Sequence, residues 1–113
     1  MTNFSAGRQA EEAAASYLKK LGFKIVDQNW RTRFCEIDIV AQKDGIIYFV
    51  EVKYRLSDQQ GSGFEYITPK KLKQMQFAAE MWVSNANWSG EYCLSGIEVS
   101  GSKFAITDFV DCL

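Results

Sequence analysis

Three residues with chemically useful side chains, Asp38, Glu51 and Lys53, flank a short turn in the sequence. The dipeptide Asp44-Gly45 lies between two runs of β-branched and aromatic residues, which predicts a β-hairpin with a two-residue turn. Counting back from that turn places Asp38 opposite Glu51 and Glu36 opposite Lys53. Because side chains alternate between the faces of a strand, all four charged residues are expected on one face of the hairpin.

The two opposed acids allow two interpretations. Directly opposed Cβ atoms lie about 5 Å apart, and like charges at that distance destabilise a sheet. On a wet face both carboxylates are simply solvated, and Glu36 pairs with Lys53. In a covered sheet they indicate a cation site, since Mg²⁺ and Mn²⁺ prefer carboxylate, carbonyl and water oxygens. Asp38 and Glu51 would then be metal ligands, and Lys53 would hold or deprotonate a water and stabilise charge on a phosphate.

Two further groups of charged residues extend this candidate site. Glu11, on the first predicted helix, either completes the ligand set directly or through water, or is an exposed acid favoured by the helix dipole. Lys70, Lys71 and Lys73 crowd the start of the second predicted helix, where the dipole disfavours cations. They are either a solvated cluster or a helix start suited to phosphate.

The rest of the pattern supplies elements that position these residues. Apolar residues three and four apart predict a helix from Ala6 to Leu21, and Thr68-Pro69 is typical of a second helix start. Strands are predicted over 23–26, 34–42, 46–53, 92–99 and 104–109, with a polar, cationic connection over 29–33 and a loop over 54–67 long enough to be a functional flap. The order αβββαββ predicts a single α/β domain of residues 1–113 with one mixed sheet flanked by helices.

The amino-acid composition excludes several classes of catalytic and metal site. The chain has 113 residues and no histidine, which excludes Ser-His-Asp and Cys-His nucleophiles and zinc sites that need imidazole. Cys35, Cys93 and Cys112 are widely spaced and predict free, mostly buried thiols.

The net charge of −1 argues against a broadly basic surface, although a positive excess lies within residues 53–90. No apolar run suits a signal peptide or a membrane span, so a cytoplasmic protein is expected.

The charged residues resemble the restriction-endonuclease-like, PD-(D/E)xK nuclease superfamily, whose pattern is an Asp, a spacer and Glu-x-Lys. Here Asp38 is followed, after twelve residues, by Glu51-Val52-Lys53. More closely, the chain resembles the YraN family, small bacterial proteins related to Holliday-junction resolvases. The matching stretches, within residues 7–83, are Gly7–Glu11, Tyr17-Leu18, Gly22, Asn29–Arg31, Cys35–Ala41, Phe49–Arg55, Gly61 and Lys71.

The resemblance implies a central mixed sheet, and it implies roles for individual residues. Glu11, Asp38, Glu51 and Lys53 take the catalytic position, the Val52 carbonyl is a further metal ligand, and Arg55 and Lys71 lie near phosphate. Two positions depart from the family. Cys35 replaces a glycine, and Leu94–Val99 replaces an Arg-Phe-Asp-Val strand in the divergent region 91–113.

The sequence thus leads to one main hypothesis, a Mg²⁺- or Mn²⁺-dependent endonuclease that hydrolyses DNA, with branched or flapped DNA as the favoured substrate. Its DNA-binding residues would be Arg55, Lys70, Lys71 and Lys73. Two alternatives are a nucleic-acid-binding module without useful turnover and a protein-interaction domain on the same fold. A homodimer would allow so small a domain to address two DNA strands.

Overall fold

A computed structural model describes residues 3–56 and 67–113, with no account of the side chains of residues 3 and 4. Two helices and five strands occur in these ranges. Their bounds are α1 Asn3–Lys20, β1 Lys24–Arg31, β2 Glu36–Lys43, β3 Ile46–Arg55, α2 Pro69–Ala86, β4 Tyr92–Ser100 and β5 Ala105–Val110. The predicted order αβββαββ is confirmed. The predicted flap lies largely outside the described residues, including Gly61 and Gly63.

The five strands form one mixed sheet in the order β1-β2-β3-β4-β5. Neighbouring strands are antiparallel except β3 and β4, which are parallel and are connected by α2. This αβββαββ arrangement is consistent with a restriction-endonuclease-like fold. No helix in the described ranges is both long and apolar enough to cross a membrane.

The β2–β3 hairpin follows the predicted register over its turn-proximal half. Asp44 and Gly45 have φ angles of 52° and 79°, the positive values that a two-residue type I′ turn requires. Lys43 pairs with Ile46, and the ladder continues to the pair Ile39–Val50. It stops there, so the predicted oppositions of Asp38 with Glu51 and of Glu36 with Lys53 are not part of the paired register.

Strand β2 loses its regular alternation next to Asp38. Ile37 belongs to the core between the sheet and α2, whereas Ile39 belongs to the core between the sheet and α1. In a regular strand, residues two apart point to the same face. The prediction of one common face for the four charged residues is therefore wrong on the β2 side.

Two apolar layers cover the sheet. Helix α1 buries Ala10, Ala14 and Leu18 against one face, together with Val50 and other sheet residues. Helix α2 buries Ala78, Ala79 and Trp82 against the other face. The start of α2 agrees with the prediction: Thr68 is the N-cap, its hydroxyl accepts a hydrogen bond of 3.1 Å from the Lys71 N–H, and Pro69 begins the helix.

Three predicted boundaries near the site are wrong. Strand β2 begins at Glu36 rather than at residue 34. Strand β1 runs on to Arg31, so most of the predicted cationic connection is strand. Asn29 has a φ of 52°, and the register with β2 shifts between Ile25 and Asp27. An edge strand tolerates such irregularity and exposes polar side chains to water. The sequence of β1 therefore lacks the apolar alternation that predicts a strand. Strand β3 likewise extends to Arg55 rather than Lys53.

The cysteine prediction is also wrong in part. Cys93 on β4 and Cys112 near the C-terminus form a disulfide, with Cα atoms 5.4 Å apart. Strand β5 runs antiparallel to β4, and the tail then follows β4, where the Leu113 N–H donates to the Leu94 carbonyl at 2.7 Å. Spacing along the sequence does not reveal this return of the chain. Cys35 is a free, half-buried thiol.

Candidate active site

Asp38 is the most electrostatically perturbed of the predicted site residues. It is half-buried on β2, and its Oδ2 accepts a hydrogen bond of 2.8 Å from the Val52 N–H on β3. Burial, followed by the negative charge of Glu51, raises the pKa of Asp38 to about 7, although the Val52 N–H opposes the rise. Asp38 thus exchanges its proton close to neutral pH, which is unusual for an aspartate.

Glu11 joins this residue from helix α1. Burial raises the pKa of its carboxyl group, although the nearby side chains of Asn29 and Asp38 oppose the rise. Sequence reasoning left Glu11 open between an exposed acid and a site residue. The structure brings it to Asp38. It also adds Asn29, whose role was not anticipated. Its φ of 52° is one that asparagine adopts more readily than most residues, but the residue type alone does not reveal which asparagine does so.

Glu51 is held by a lysine from helix α2. The Lys71 Nζ lies 2.9 Å from the Glu51 Oε2, and both side chains are partly exposed. Glu36 has a different partner from the one predicted, because it pairs with Arg31 at 3.5 Å on the open surface. Lys53 is half-buried on β3, and the register of the parallel strands places it beside Glu98 on β4.

Arg55 lies in an environment unlike the predicted one. It is buried, and its Nε donates to the Glu98 Oε2 at 2.6 Å. The other carboxylate oxygen of Glu98 accepts from the Thr107 hydroxyl at 2.9 Å, and Ser100 bonds that hydroxyl at 3.0 Å. A guanidinium enclosed in such a network is poorly placed to bind phosphate. The surroundings of Arg55 favour a structural ion pair with Glu98 over the expected phosphate contact.

A groove of about 490 Å³ opens beside Glu51. One wall is the β1–β2 turn with the start of β2, and the other is the first half of α2. Its lining residues are Phe34, Cys35, Glu36, Glu51, Lys70, Lys71, Lys73, Gln74, Met75 and Phe77. The groove therefore brings the three predicted α2 lysines to the same place as one of the two predicted metal ligands.

The donor set suits a hard divalent cation. The described residues contain no group of three or more His, Cys, Asp or Glu side chains that would hold a metal unaided. Mg²⁺, however, is usually held by one or two carboxylates, with water and substrate oxygens completing its shell. Asp38 and Glu51 supply two carboxylates close enough for the charge of Glu51 to raise the pKa of Asp38. A cation there would offset the cost of placing these acids together.

Fold and site together define a mixed α/β protein with paired carboxylates at an interrupted sheet ladder, beside a lysine-lined groove. The model of the "Uncharacterised protein family UPF0102" matches residues 10–106, and the chain belongs to that family. A UPF0102 protein of Helicobacter pylori strain P12 is 36% identical over 102 residues, which cover 90% of this chain and 87% of the relative.

Two other relatives show the range of similarity. A UPF0102 protein of Vibrio parahaemolyticus is 44% identical over 78 residues, covering 69% of this chain and 64% of the relative. A UPF0102 protein of Cytophaga hutchinsonii is 31% identical over 106 residues, covering 94% of both chains. These relatives establish the family, and their names state no activity.

Proposed function

We propose that this protein is a Mg²⁺- or Mn²⁺-dependent hydrolase of DNA phosphodiester bonds, of the PD-(D/E)xK type, acting in the cytoplasm on branched or flapped DNA. The observation that carries the proposal is the half-buried Asp38, set beside Glu51 and Glu11. Clustered acids with a raised pKa are typical of functional sites, because they lower stability unless a cation or a proton compensates them.

Each residue of the site has a role in this proposal. Asp38 and Glu51 would hold the divalent ion, which would supply positive charge to stabilise the oxygens of the phosphate. Glu11, beside Asp38, completes the acidic site, as a further ligand either directly or through water. The Val52 carbonyl is the further ligand that the family resemblance implies. Lys53, two residues beyond Glu51, stabilises the negative charge that develops on the phosphate.

The lysines of α2 bind the DNA backbone in this scheme. Lys70 and Lys73 are exposed at the groove, and Lys71 reaches Glu51 from the first turn of the helix. Ammonium groups at a helix start reinforce the preference of free backbone N–H groups for an anion. The DNA backbone would therefore run along the start of α2 and present a phosphate to Glu51 and Lys53.

The test is cleavage of end-labelled flapped, branched and plain duplex DNA in Mg²⁺, Mn²⁺ or EDTA. Wild type should cut in either ion and remain inactive in EDTA. Glu51→Gln should lower the rate by at least about 100-fold, since it removes a ligand of the reacting centre. Glu80→Gln, at an exposed acid of α2, is the matched control and should cut as wild type does. Absence of cutting on every DNA, or cutting unaffected by Glu51→Gln, would overturn the proposal.

One observation favours a second candidate, a nucleic-acid-binding module without turnover. The Lys71 ammonium neutralises Glu51 at 2.9 Å, which satisfies one of the two proposed ligands without any metal. Under this alternative the protein binds DNA equally well in EDTA and in Mn²⁺, and it leaves the DNA intact in both.

A further inference from the structure

The groove beside Glu51 carries an exposed aromatic ring on each wall. Phe34, in the β1–β2 turn, is 70% exposed, and Phe77, on α2, is 48% exposed. Both rings line the groove of about 490 Å³, whose size falls within the range of roughly 300–1,000 Å³ typical of ligand sites. Large apolar side chains left in water on both sides of one groove indicate a binding surface.

The turn that carries Phe34, on one wall of the groove, is held by its own hydrogen bonds and does not need a ligand to order it. The Thr32 N–H donates to the Cys35 carbonyl at 2.8 Å, and the Thr32 hydroxyl accepts from the N–H groups of Phe34 and Cys35 at 3.0 and 3.3 Å. These bonds fix the turn that presents the ring. The Arg33 guanidinium lies over the ring, 5.4 Å from its centroid, and adds a cation to the same wall.

The opposite wall is one stripe of helix α2. Lys70, Lys73, Gln74 and Phe77 are separated by three and four residues, so they lie on one side of the helix, away from its buried side. This stripe therefore combines two ammonium groups, one amide and one aromatic ring.

The charge of the groove is positive where a ligand would lie. Its two acids are each paired, Glu51 with Lys71 at 2.9 Å and Glu36 with Arg31 at 3.5 Å. Lys70 and Lys73 add further positive charge along the α2 wall. A polyanion with flat apolar groups matches this combination of lysines and exposed rings.

We propose that the groove binds single-stranded DNA, with unpaired bases stacked on Phe34 and Phe77 and the backbone phosphates on Lys70 and Lys73. Basic grooves with aromatic platforms bind single strands in this way, whereas the bases of a duplex are already stacked on each other. The inference rests on the proposed function for its biological meaning, since it makes the unpaired arm of a flapped or branched DNA the part that is recognised next to Glu51.

The test measures binding in EDTA, so that it does not depend on hydrolysis. A short oligonucleotide containing 2-aminopurine is titrated with protein, as a single strand and as a duplex of the same length. Wild type should bind the single strand more tightly and change its 2-aminopurine fluorescence. Phe34→Leu and Phe77→Leu should each weaken single-strand binding about tenfold and leave duplex binding within about twofold. Phe34→Tyr and Phe77→Tyr, which keep a stacking face, should retain most of the affinity.

Leu21→Ala provides the control, because Leu21 is 40% exposed at the end of α1, outside the groove. It should bind single strands as wild type does, and thermal melts should show that all variants are folded. Equal affinity for single strand and duplex, unchanged fluorescence, or a loss shared equally by the Leu and Tyr variants would overturn the inference. If the protein binds single strands but does not cleave DNA in Mn²⁺, the proposed hydrolase is refuted and the inference stands. If it cleaves DNA but Phe34→Leu and Phe77→Leu bind single strands as wild type does, the inference is refuted and the hydrolase stands.

Discussion

The Val52 N–H donates to the Asp38 carboxylate at 2.8 Å, just beyond Ile39–Val50, the last ladder pair of the β2–β3 hairpin: Asp38 is one residue from Ile39, and Val52 is two residues from Val50. Where the strands cease to pair, a side-chain oxygen thus accepts the hydrogen bond that a backbone carbonyl would accept in a continued ladder. The same carboxylate lies close to the negative charges of Glu51 and Glu11. Asp38 is therefore both a structural acceptor and the centre of the acidic cluster, and the two roles can be separated by experiment.

Replacing Asp38 with Asn retains an acceptor for the Val52 N–H and removes the negative charge. The folded pKa of about 7 exceeds the unfolded value of about 3.9, so ionisation of Asp38 destabilises the native state. At pH 8 without metal, Asp38→Asn should therefore melt above wild type, by roughly 4 °C or more for each kcal/mol gained. At pH 4 the difference should disappear. Differential scanning calorimetry measures both, with Asp44→Asn in the exposed turn as control.

The same variant should lose the response of wild type to metal. A ligand that binds only the folded state raises its melting temperature by mass action, so millimolar Mn²⁺ should stabilise wild type and have little effect on Asp38→Asn. A variant that melts lower without metal, yet gains as much from Mn²⁺ as wild type does, would contradict a role for Asp38 as ligand.

Metal binding should strengthen with pH, because a proton on Asp38 competes with the cation. With a pKa of about 7, the ionised fraction of Asp38 rises about tenfold between pH 6 and pH 8. The apparent Kd for Mn²⁺, from titrations followed by electron paramagnetic resonance, should fall by about the same factor. In the metal-free protein, the stability contribution linked to Asp38 should be present below about pH 4 and be lost as pH rises through 7. A Kd that does not change between pH 6 and pH 8 would place the ion elsewhere.

Lys71→Gln should weaken binding to every DNA by a similar factor. One phosphate contact releases about one counterion, so the slope of log K against log salt should decrease by about one. Fluorescence anisotropy at several salt concentrations in EDTA gives the slope. Lys20→Gln, at the exposed end of α1, is the control. If the slope does not move, Lys71 serves Glu51 alone and makes no phosphate contact.

Lys53→Ala should affect turnover far more than binding. An ammonium that acts on charge developing in the transition state contributes to kcat, and loss of such a group costs about 100-fold or more. Single-turnover cleavage in Mn²⁺, compared with DNA affinity in EDTA, separates the two effects. Lys53→Arg should recover part of the activity. Measurable turnover that Lys53→Ala leaves unchanged would assign Lys53 a structural role instead.

Arg55 and Glu98 should govern stability rather than DNA binding. Their side chains are 9% and 6% exposed, and removing one partner leaves the other buried without its countercharge. Arg55→Met is expected to cost about 3–5 kcal/mol of unfolding free energy, and the double variant Arg55→Met/Glu98→Leu considerably less. Urea denaturation measures both. The folded double variant should keep the salt slope of wild type, and a slope reduced by about one would restore Arg55 as a phosphate contact.

The sequence was most informative where local chemistry decides the structure. The Asp44-Gly45 turn sets the register of its hairpin as far as Ile39, and Thr68 with Pro69 begins α2 as predicted. Both signals act over a few residues and need no tertiary partner.

Contacts between distant parts of the chain could not be predicted in the same way. From the sequence, Arg55 is expected to bind phosphate. In the fold it pairs with Glu98, which also accepts a hydrogen bond from Thr107. The meeting of Glu51 with Lys71 likewise depends on how α2 crosses the sheet. For the candidate site, the sequence selects the residues to consider, whereas their ion-pair partners could be identified only from the fold.

The disulfide between Cys93 and Cys112 closes a covalent ring that contains β4 from its second residue onward, β5 and the turn between them. β5 lies at one edge of the sheet and β1 at the other. Local opening of a folded protein begins where the fewest interactions must break, and edge strands are typical starting points. β1 can separate by breaking noncovalent contacts alone, but β5 remains tethered to β4 while the ring is intact. Thiol reductants should therefore promote fraying of the β5 edge and have no direct effect on that of the β1 edge.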